Sequence, residues 1–370
     1  MKKFAALVLA GAMTLGLAAC GGGNTSTPAA SSTPAASTPA ASTPAASTGS
    51  DYASLDPVVL RGADSSGVGA AAQQLGELVA EKVDAITGGQ LTVEYYPNSE
   101  MGGDMDIQQQ MLDGTLDYVV LQTAPTVSFV PAVAVFDLPM VFAQYDGDTI
   151  DQVLNGDDSE FLKAIAPKYE EKNMKILGYL QNATYRLTTS NVKLDTLDAF
   201  KGLQIRTMEN QNHMAFWSAL GAAPTPLAWA EVFISLQNGT IDAQENAADT
   251  CASTNFQEVQ KYLACTNHIL YANQLSMNKE KYDSLDPAYQ EAINQAVAEA
   301  IEEMKSQMVE SDETNKQTLV DGGMTLIEYD DAFFQEILAL DTVQALYDKI
   351  DADVNGLGTT LQEELAAAQG

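Results

Sequence analysis

Arginine is scarce in this chain. Arg61, Arg186 and Arg206 are the only three in 370 residues. Arg186 and Arg206 stand in short stretches that read as strands, Arg186-Leu187-Thr188-Thr189 and Leu203-Gln204-Ile205-Arg206. A guanidinium is a planar, permanently charged fork that grips a carboxylate or phosphate through two parallel hydrogen bonds, whereas lysine offers a point charge. With 50 Asp+Glu against 18 Lys+Arg, the formal net charge is −32, and lysine alone serves an acidic surface that needs basic residues. The two arginines therefore either hold an anion or form buried structural ion pairs.

Other reactive constellations are missing. His213 and His268 are the only histidines, lie far apart in sequence and show no metal-ligand spacing. There is no Gly-x-Ser-x-Gly, phosphate loop or dinucleotide fingerprint. Ser190 or Ser218 as a nucleophile would need a base that the sequence does not offer, so no enzyme is expected. The acidic balance and the lack of a basic stripe exclude a nucleic-acid partner. Cys251 and Cys265 could pair outside the cytoplasm or remain as buried thiols, and both readings stand.

The elements that must position the arginines alternate in type. Val58-Val59-Leu60 reads as a strand, 70–87 as a helix stopped by Gly88-Gly89, and 91–96 as a strand. A helix over 104–112, ended by Gly114, and a strand over 118–122 follow. This β-α-β-α-β run predicts an α/β lobe with a largely parallel sheet, whose binding loops lie at the carboxyl ends of its strands. Those ends are Asp64-Ser65-Ser66-Gly67 and Gln122-Thr123-Ala124. A second lobe begins near Asn182, with helices over 210–220 and 230–237, and the chain returns through 266–277. A helical pattern from Pro287 to about Leu319 would be ~50 Å long, enough to brace both lobes.

The N-terminus reads as an address rather than a domain. Lys2-Lys3, an apolar run from Phe4 to Leu17 and Leu17-Ala18-Ala19-Cys20-Gly21 resemble a bacterial lipoprotein signal over 1–19, with Cys20 as the lipidated residue. Residues 20–54 repeat Thr-Pro-Ala-Ala and read as a tether. No later segment has the ~18 unbroken apolar residues of a membrane-spanning helix.

From Tyr96-Pro97-Asn98-Ser99-Glu100-Met101-Gly102 onward, ordered blocks resemble one family. They continue through Asp113-Gly114-Thr115-Leu116-Asp117 and Val135-Phe136-Asp137-Leu138-Pro139 to the most specific block, Lys201-Gly202-Leu203-Gln204-Ile205-Arg206. Ala219 to Pro226, Glu231-Val232-Phe233, Leu236 to Asn246, Phe256 to Tyr262 and Thr266-Asn267-His268 follow in register. The chain is similar to the DctP-type solute-binding proteins of tripartite ATP-independent periplasmic (TRAP) transporters. The resemblance implies an α/β, two-lobed, periplasmic-binding-protein-like flytrap with a long bracing helix. Lobe I is expected over 55–183 with the return segment 272–311, and lobe II over 184–271 with the C-terminal segment 312–370.

The resemblance also implies roles. Arg206 matches the arginine that forks onto the ligand carboxylate, Arg186 a second arginine, and Asn246 an amide donor to the same carboxylate. Trp229 stands where members place an aromatic against the ligand body, which tilts toward an apolar or aromatic ligand. Gln122, Ser65 and Ser66 are expected to face the cleft from lobe I. No cofactor and no metal are implied. Sialic-acid binders carry a glutamate at Gln122 and an arginine at Pro125, so sialic acid is not expected here. The implied function is an extracytoplasmic, lipid-anchored, monomeric receptor that hands a small organic acid to the small and large membrane subunits. The alternative is a receptor for an ABC importer or a sensor kinase.

Overall fold

A computed structural model of the protein describes residues 52–369. The signal over 1–19, Cys20 and nearly all of the tether lie outside the described residues.

The first lobe forms where the sequence patterns place it. Strand β1 (Val58–Asp64) leads to α1 (Ala71–Thr87), β2 (Leu91–Tyr96), α2 (Asp104–Leu112) and β3 (Tyr118–Gln122). Helix α1 buries Leu75, Val79 and Val83 along one face and stops at Gly88, whose φ of 60° is left-handed. A short turn α3 (Thr123–Thr126) is followed by α4 (Gly147–Asn155), α5 (Glu160–Glu170) and β4 (Met174–Leu180). Asp146 and Ser159 cap α4 and α5 by accepting from the Thr149 and Leu162 amides.

The chain then crosses to a second sheet. Strands β5 (Leu187–Ser190) and β6 (Gln204–Thr207), α6 (Gln211–Ala219), β7 (Ala223–Pro226), α7 (Trp229–Gln237), β8 (Ala243–Asn246), α8 (Ala248–Ser253) and β9 (Tyr262–Ala264) build it. The chain returns as β10 (Asn273–Asn278) and α9 (Lys279–Ser284). The long helix α10 (Pro287–Asp321), β11 (Thr325–Ile327), α11 (Asp331–Leu338), α12 (Asp341–Asp353) and α13 (Leu357–Ala368) complete it.

The strand orders are β2-β1-β3-β10-β4 and β11-β9-β5-β8-β6-β7. In each sheet one strand opposes the rest: β10 runs antiparallel to β3 and β4, and β5 antiparallel to β8 and β9. These are the strands entered directly after the two crossings. The crossings pair with each other, since Arg186 N donates to Ile269 O at 2.9 Å and Tyr271 N to Thr184 O at 2.8 Å. Each holds a left-handed residue, Ala183 at φ 48° and Asn267 at φ 42°.

Helix α10 contacts α1 and β4 on one side and α8 and β9 on the other. Its Ile293, Val297 and Ile301 join the core under α1, while Leu319 joins that of the second lobe. Asn182, at the first crossing, donates to its Lys305 carbonyl at 2.8 Å. The C-terminal segment spans both lobes rather than sitting with lobe II alone. Strand β11 edges the second sheet, α12 meets α6, and α13 packs on α4 and α5. There Glu364 accepts from the Glu160 and Phe161 amides at 3.0 and 2.6 Å and caps α5 from across the chain. Among the described residues no helix is long and apolar enough to cross a membrane.

Candidate functional site

A cavity of about 30 Å³ lies between the sheets. Its wall includes Ser65, Ser66, Asp104 and Gln122 from the first lobe and Arg206, Trp229 and Asn246 from the second. Tyr271 and Asn273, on the returning chain, close it. Six of the seven residues expected at the site are thus together. The loops are those at the carboxyl ends of β1, β3, β6 and β8, as the parallel strands require.

Arg206 is 1% exposed on β6. Its Nε and Nη2 donate to the Leu227 carbonyl at 2.9 and 2.6 Å. Its Nη1 has no hydrogen-bond partner. Burial, with the charge of Arg186 nearby, lowers its pKa to about 10, so it stays protonated at neutral pH. The Trp229 ring lies 5.7 Å from its guanidinium carbon and meets Phe256 edge-on. Asn246 uses its amide oxygen to accept from Gln122 Nε2 at 3.1 Å and from the Ala247 amide at 3.0 Å, which leaves its N–H groups as donors.

Arg186 differs. It does not line the cavity; its guanidinium forks onto Glu245, with Nη2 donating to Oε1 at 3.0 Å and Nε to Oε2. Its remaining Nη1 donates to Gln122 Oε1, its one link to the cavity wall. The two readings left open for the arginines therefore divide between them. Arg186 is a buried structural ion pair rather than a free clamp, and Arg206 is the cation without a carboxylate.

Glu245 is the centre of a buried charge cluster. His268 Nε2 lies 3.1 Å from its Oε2, and His213 Nδ1 lies 3.6 Å from its Oε1. His213 Nε2 also stands 3.2 Å from Asp137 Oδ1. These His213 distances suit ion pairs although neither ring nitrogen makes an aligned hydrogen bond. Burial works against the Glu245 carboxylate, but Arg186 and the two histidines hold its pKa well below the usual range. Burial also opposes charging His213, yet Asp137 and Glu245 raise its pKa to about 9. His268 goes the other way, with burial lowering its pKa.

Several residues here carry no strong local sequence signal. Asp104 follows Gly102-Gly103 at the start of α2 and could have been noticed as an acidic helix start. Asn273 is an ordinary strand residue by sequence. Trp217 is fully buried in the core, with Phe200, Phe216 and His268 as its ring neighbours. Cys251 and Cys265 are unpaired and buried, and burial raises their thiols to about 12 and about 11. Among the described residues no group of three or more His, Cys, Asp or Glu could hold a metal ion.

Comparison with known proteins agrees with this geometry. The profile of the DctP family, bacterial extracellular solute-binding protein family 7, matches residues 62–353. A solute-binding protein of Verminephrobacter eiseniae is 30% identical over 291 residues, 78% of this chain and 83% of that protein. The 2,3-diketo-L-gulonate-binding periplasmic protein YiaO of Escherichia coli is 30% identical over 252 residues, 68% of this chain and 73% of YiaO. A TRAP periplasmic solute-binding protein from Sulfitobacter sp. NAS-14.1, solved with β-D-galacturonate, superposes with a TM-score of 0.75 at 27% identity, covering 83% of this chain and all of that one. With two lobes joined by a paired ribbon, a cavity between them that carries Arg206 and this match over most of its length, the chain belongs to the DctP-type family of TRAP solute-binding proteins.

Proposed function

We infer that the protein captures a small organic acid between its lobes, with Arg206 and the Asn246 amide holding the carboxylate, and delivers it to the membrane subunits of a TRAP transporter. The observation that carries this is the buried Arg206 guanidinium with Nη1 unpartnered in an interlobe cavity. A carboxylate leaving water must recover several kcal/mol of hydration, which short charge-assisted bonds supply. The net charge of −32 is no obstacle, because salt screens exposed carboxylates beyond ~8 Å. The names of YiaO and of the Sulfitobacter complex both specify an acid. A cavity of about 30 Å³ has room for only one or two waters, so a ligand enters with the lobes apart.

Trp229 supplies the readout. In Trp217→Phe, whose remaining tryptophan lines the cavity, titration with organic acids is expected to shift or quench emission, and Trp229→Phe is expected to lose that response. An emission indifferent to every acid, or equally responsive to neutral sugars, overturns the reading.

The proposal includes a lipid anchor at Cys20. One lipid chain gives only marginal binding, and two or more hold firmly. Cys20→Ser is expected to move the protein from the membrane pellet to the soluble fraction of expressing cells. A variant that still pellets after a high-salt wash would rule the anchor out.

A further inference from the structure

The seam between the lobes continues past the acid cavity. Ala72, near the start of α1, and Thr250, on α8, line that cavity, and their chain neighbours Ala71 and Asp249 meet beside it. Asp249 Oδ2 accepts from the Ala71 amide at 3.0 Å. It also accepts from the hydroxyl of Tyr271, another residue of the cavity wall, at 2.9 Å. The lobes approach closely along this line: a Cβ added to Gly67, in the loop after β1, would stand 3.3 Å from the Ser253 hydroxyl at the end of α8.

Helix α1 needs a partner there. The first amides of a helix lack intrahelical acceptors, and the residue placed to supply one, Ala70, has no side-chain oxygen. Asp249 fills that role from the other lobe, with its carboxylate at the positive end of a 17-residue helix. Asp249 also shares the corner from β8 into α8 with Asn246 of the cavity wall.

We propose that Asp249 is a positioning residue for capture: it touches no acid, but it latches the lobes by capping α1 from across the cleft. This rests on an acid entering between parted lobes and being held by Arg206. When the lobes part, Asp249 leaves with α8 and the Ala71 amide turns to water, so the bond belongs to the closed arrangement. An interaction made only in the binding-competent state raises its population, and with it the apparent affinity, without any contact to the ligand. The bond forms after encounter, so its loss shows in the dissociation rate rather than the association rate.

Two variants remove the bond from opposite sides. Asp249→Ala deletes the acceptor. Ala71→Pro deletes the donor and suits the backbone: proline is favoured at the first helical position, and Ala70 already has the extended φ of −71° and ψ of 154° that must precede it. Calorimetry and stopped-flow tryptophan emission on the full chain use galacturonate, galactonate, 2,3-diketo-L-gulonate, succinate and orotate as probes. For the acid that the wild type holds most tightly, each variant is expected to release it about three- to thirtyfold faster, the worth of a helix cap, with association nearly unchanged. The double variant should be no faster than the worse single, because both remove one bond. Asp249→Asn keeps an oxygen without the charge and should fall between. Single variants that release acid at the wild-type rate overturn the latch, and so does a double variant in which the two losses multiply, as they would for residues that only stabilise their own lobes. Arg206→Ala separates the two ideas. Acids that still bind it, or a wild type that binds none of the five, refute the capture reading and the latch together. Binding lost in Arg206→Ala but unchanged in Asp249→Ala and Ala71→Pro refutes the latch alone.

Discussion

Arg206→Ala is expected to weaken binding of a carboxylate ligand by about 30- to several-thousand-fold, equivalent to roughly 2–5 kcal/mol. The wild-type guanidinium is already fixed by two bonds to the Leu227 carbonyl, so little ordering remains to be done when an anion arrives. The alanine removes the charge and the free Nη1 donor together. Arg206→Lys keeps a charge without the fork, and its affinity should fall between the two. Calorimetry on all three proteins is the measurement. Near-normal affinity in the alanine variant would falsify the clamp.

The second large effect concerns stability. Glu245→Gln leaves the buried Arg186 guanidinium without its carboxylate, and breaking a buried pair from one side costs about 3–5 kcal/mol. For a protein of this size the melting temperature should fall by on the order of 10 °C. Replacing both partners by apolar residues of similar volume should cost less, because the guanidinium is then not stranded and His213 keeps Asp137 as its partner. A double variant as unstable as Glu245→Gln would show that the loss is one of packing, not of charge.

The same cluster fixes the pH dependence. His213 has its pKa raised to about 9 in the folded chain, against 6.5 for a free imidazole. Its stabilisation is complete below 6.5 and disappears as pH rises through about 9. His268 is shifted down, so its contribution is present above 6.5 and is lost as pH falls. Glu245, shifted down from 4.5, adds to the loss at low pH. Stability should therefore decline from near-neutral pH in both directions, and His213→Gln should flatten the alkaline limb in denaturation curves taken from pH 6.5 to 9. An alkaline limb that survives this replacement would show that His213 is not its source.

Local structure was legible in the sequence because it is written in short periods. Strands 91–96 and 118–122 and helix 104–112 have the expected bounds, since alternation, a 3.6-residue repeat and nearby glycines act within one element. The long helix was equally plain: Pro287 opens it, and apolar residues recur along it to Asp321. The ordered motif blocks also carried the family and, with it, Arg206, Asn246, Trp229, Gln122, Ser65 and Ser66, all of which meet at one cavity.

Tertiary structure decided the partners. Nothing local distinguishes Arg186 from Arg206, since Arg206 stands on β6 and Arg186 directly precedes β5 of the same sheet. Only the pairing of β5 with β8 brings Glu245 under Arg186, while Arg206 faces the cavity with no carboxylate in ion contact and with Nη1 unpartnered. Asp104 and Asn273 are far apart in sequence and line one cavity only because β10 inserts beside β3 after the chain returns. Helix α13 closes on α4 and α5 for the same reason. Whether a buried polar group has a partner depends on contacts made across the fold, and residue periodicity does not encode them.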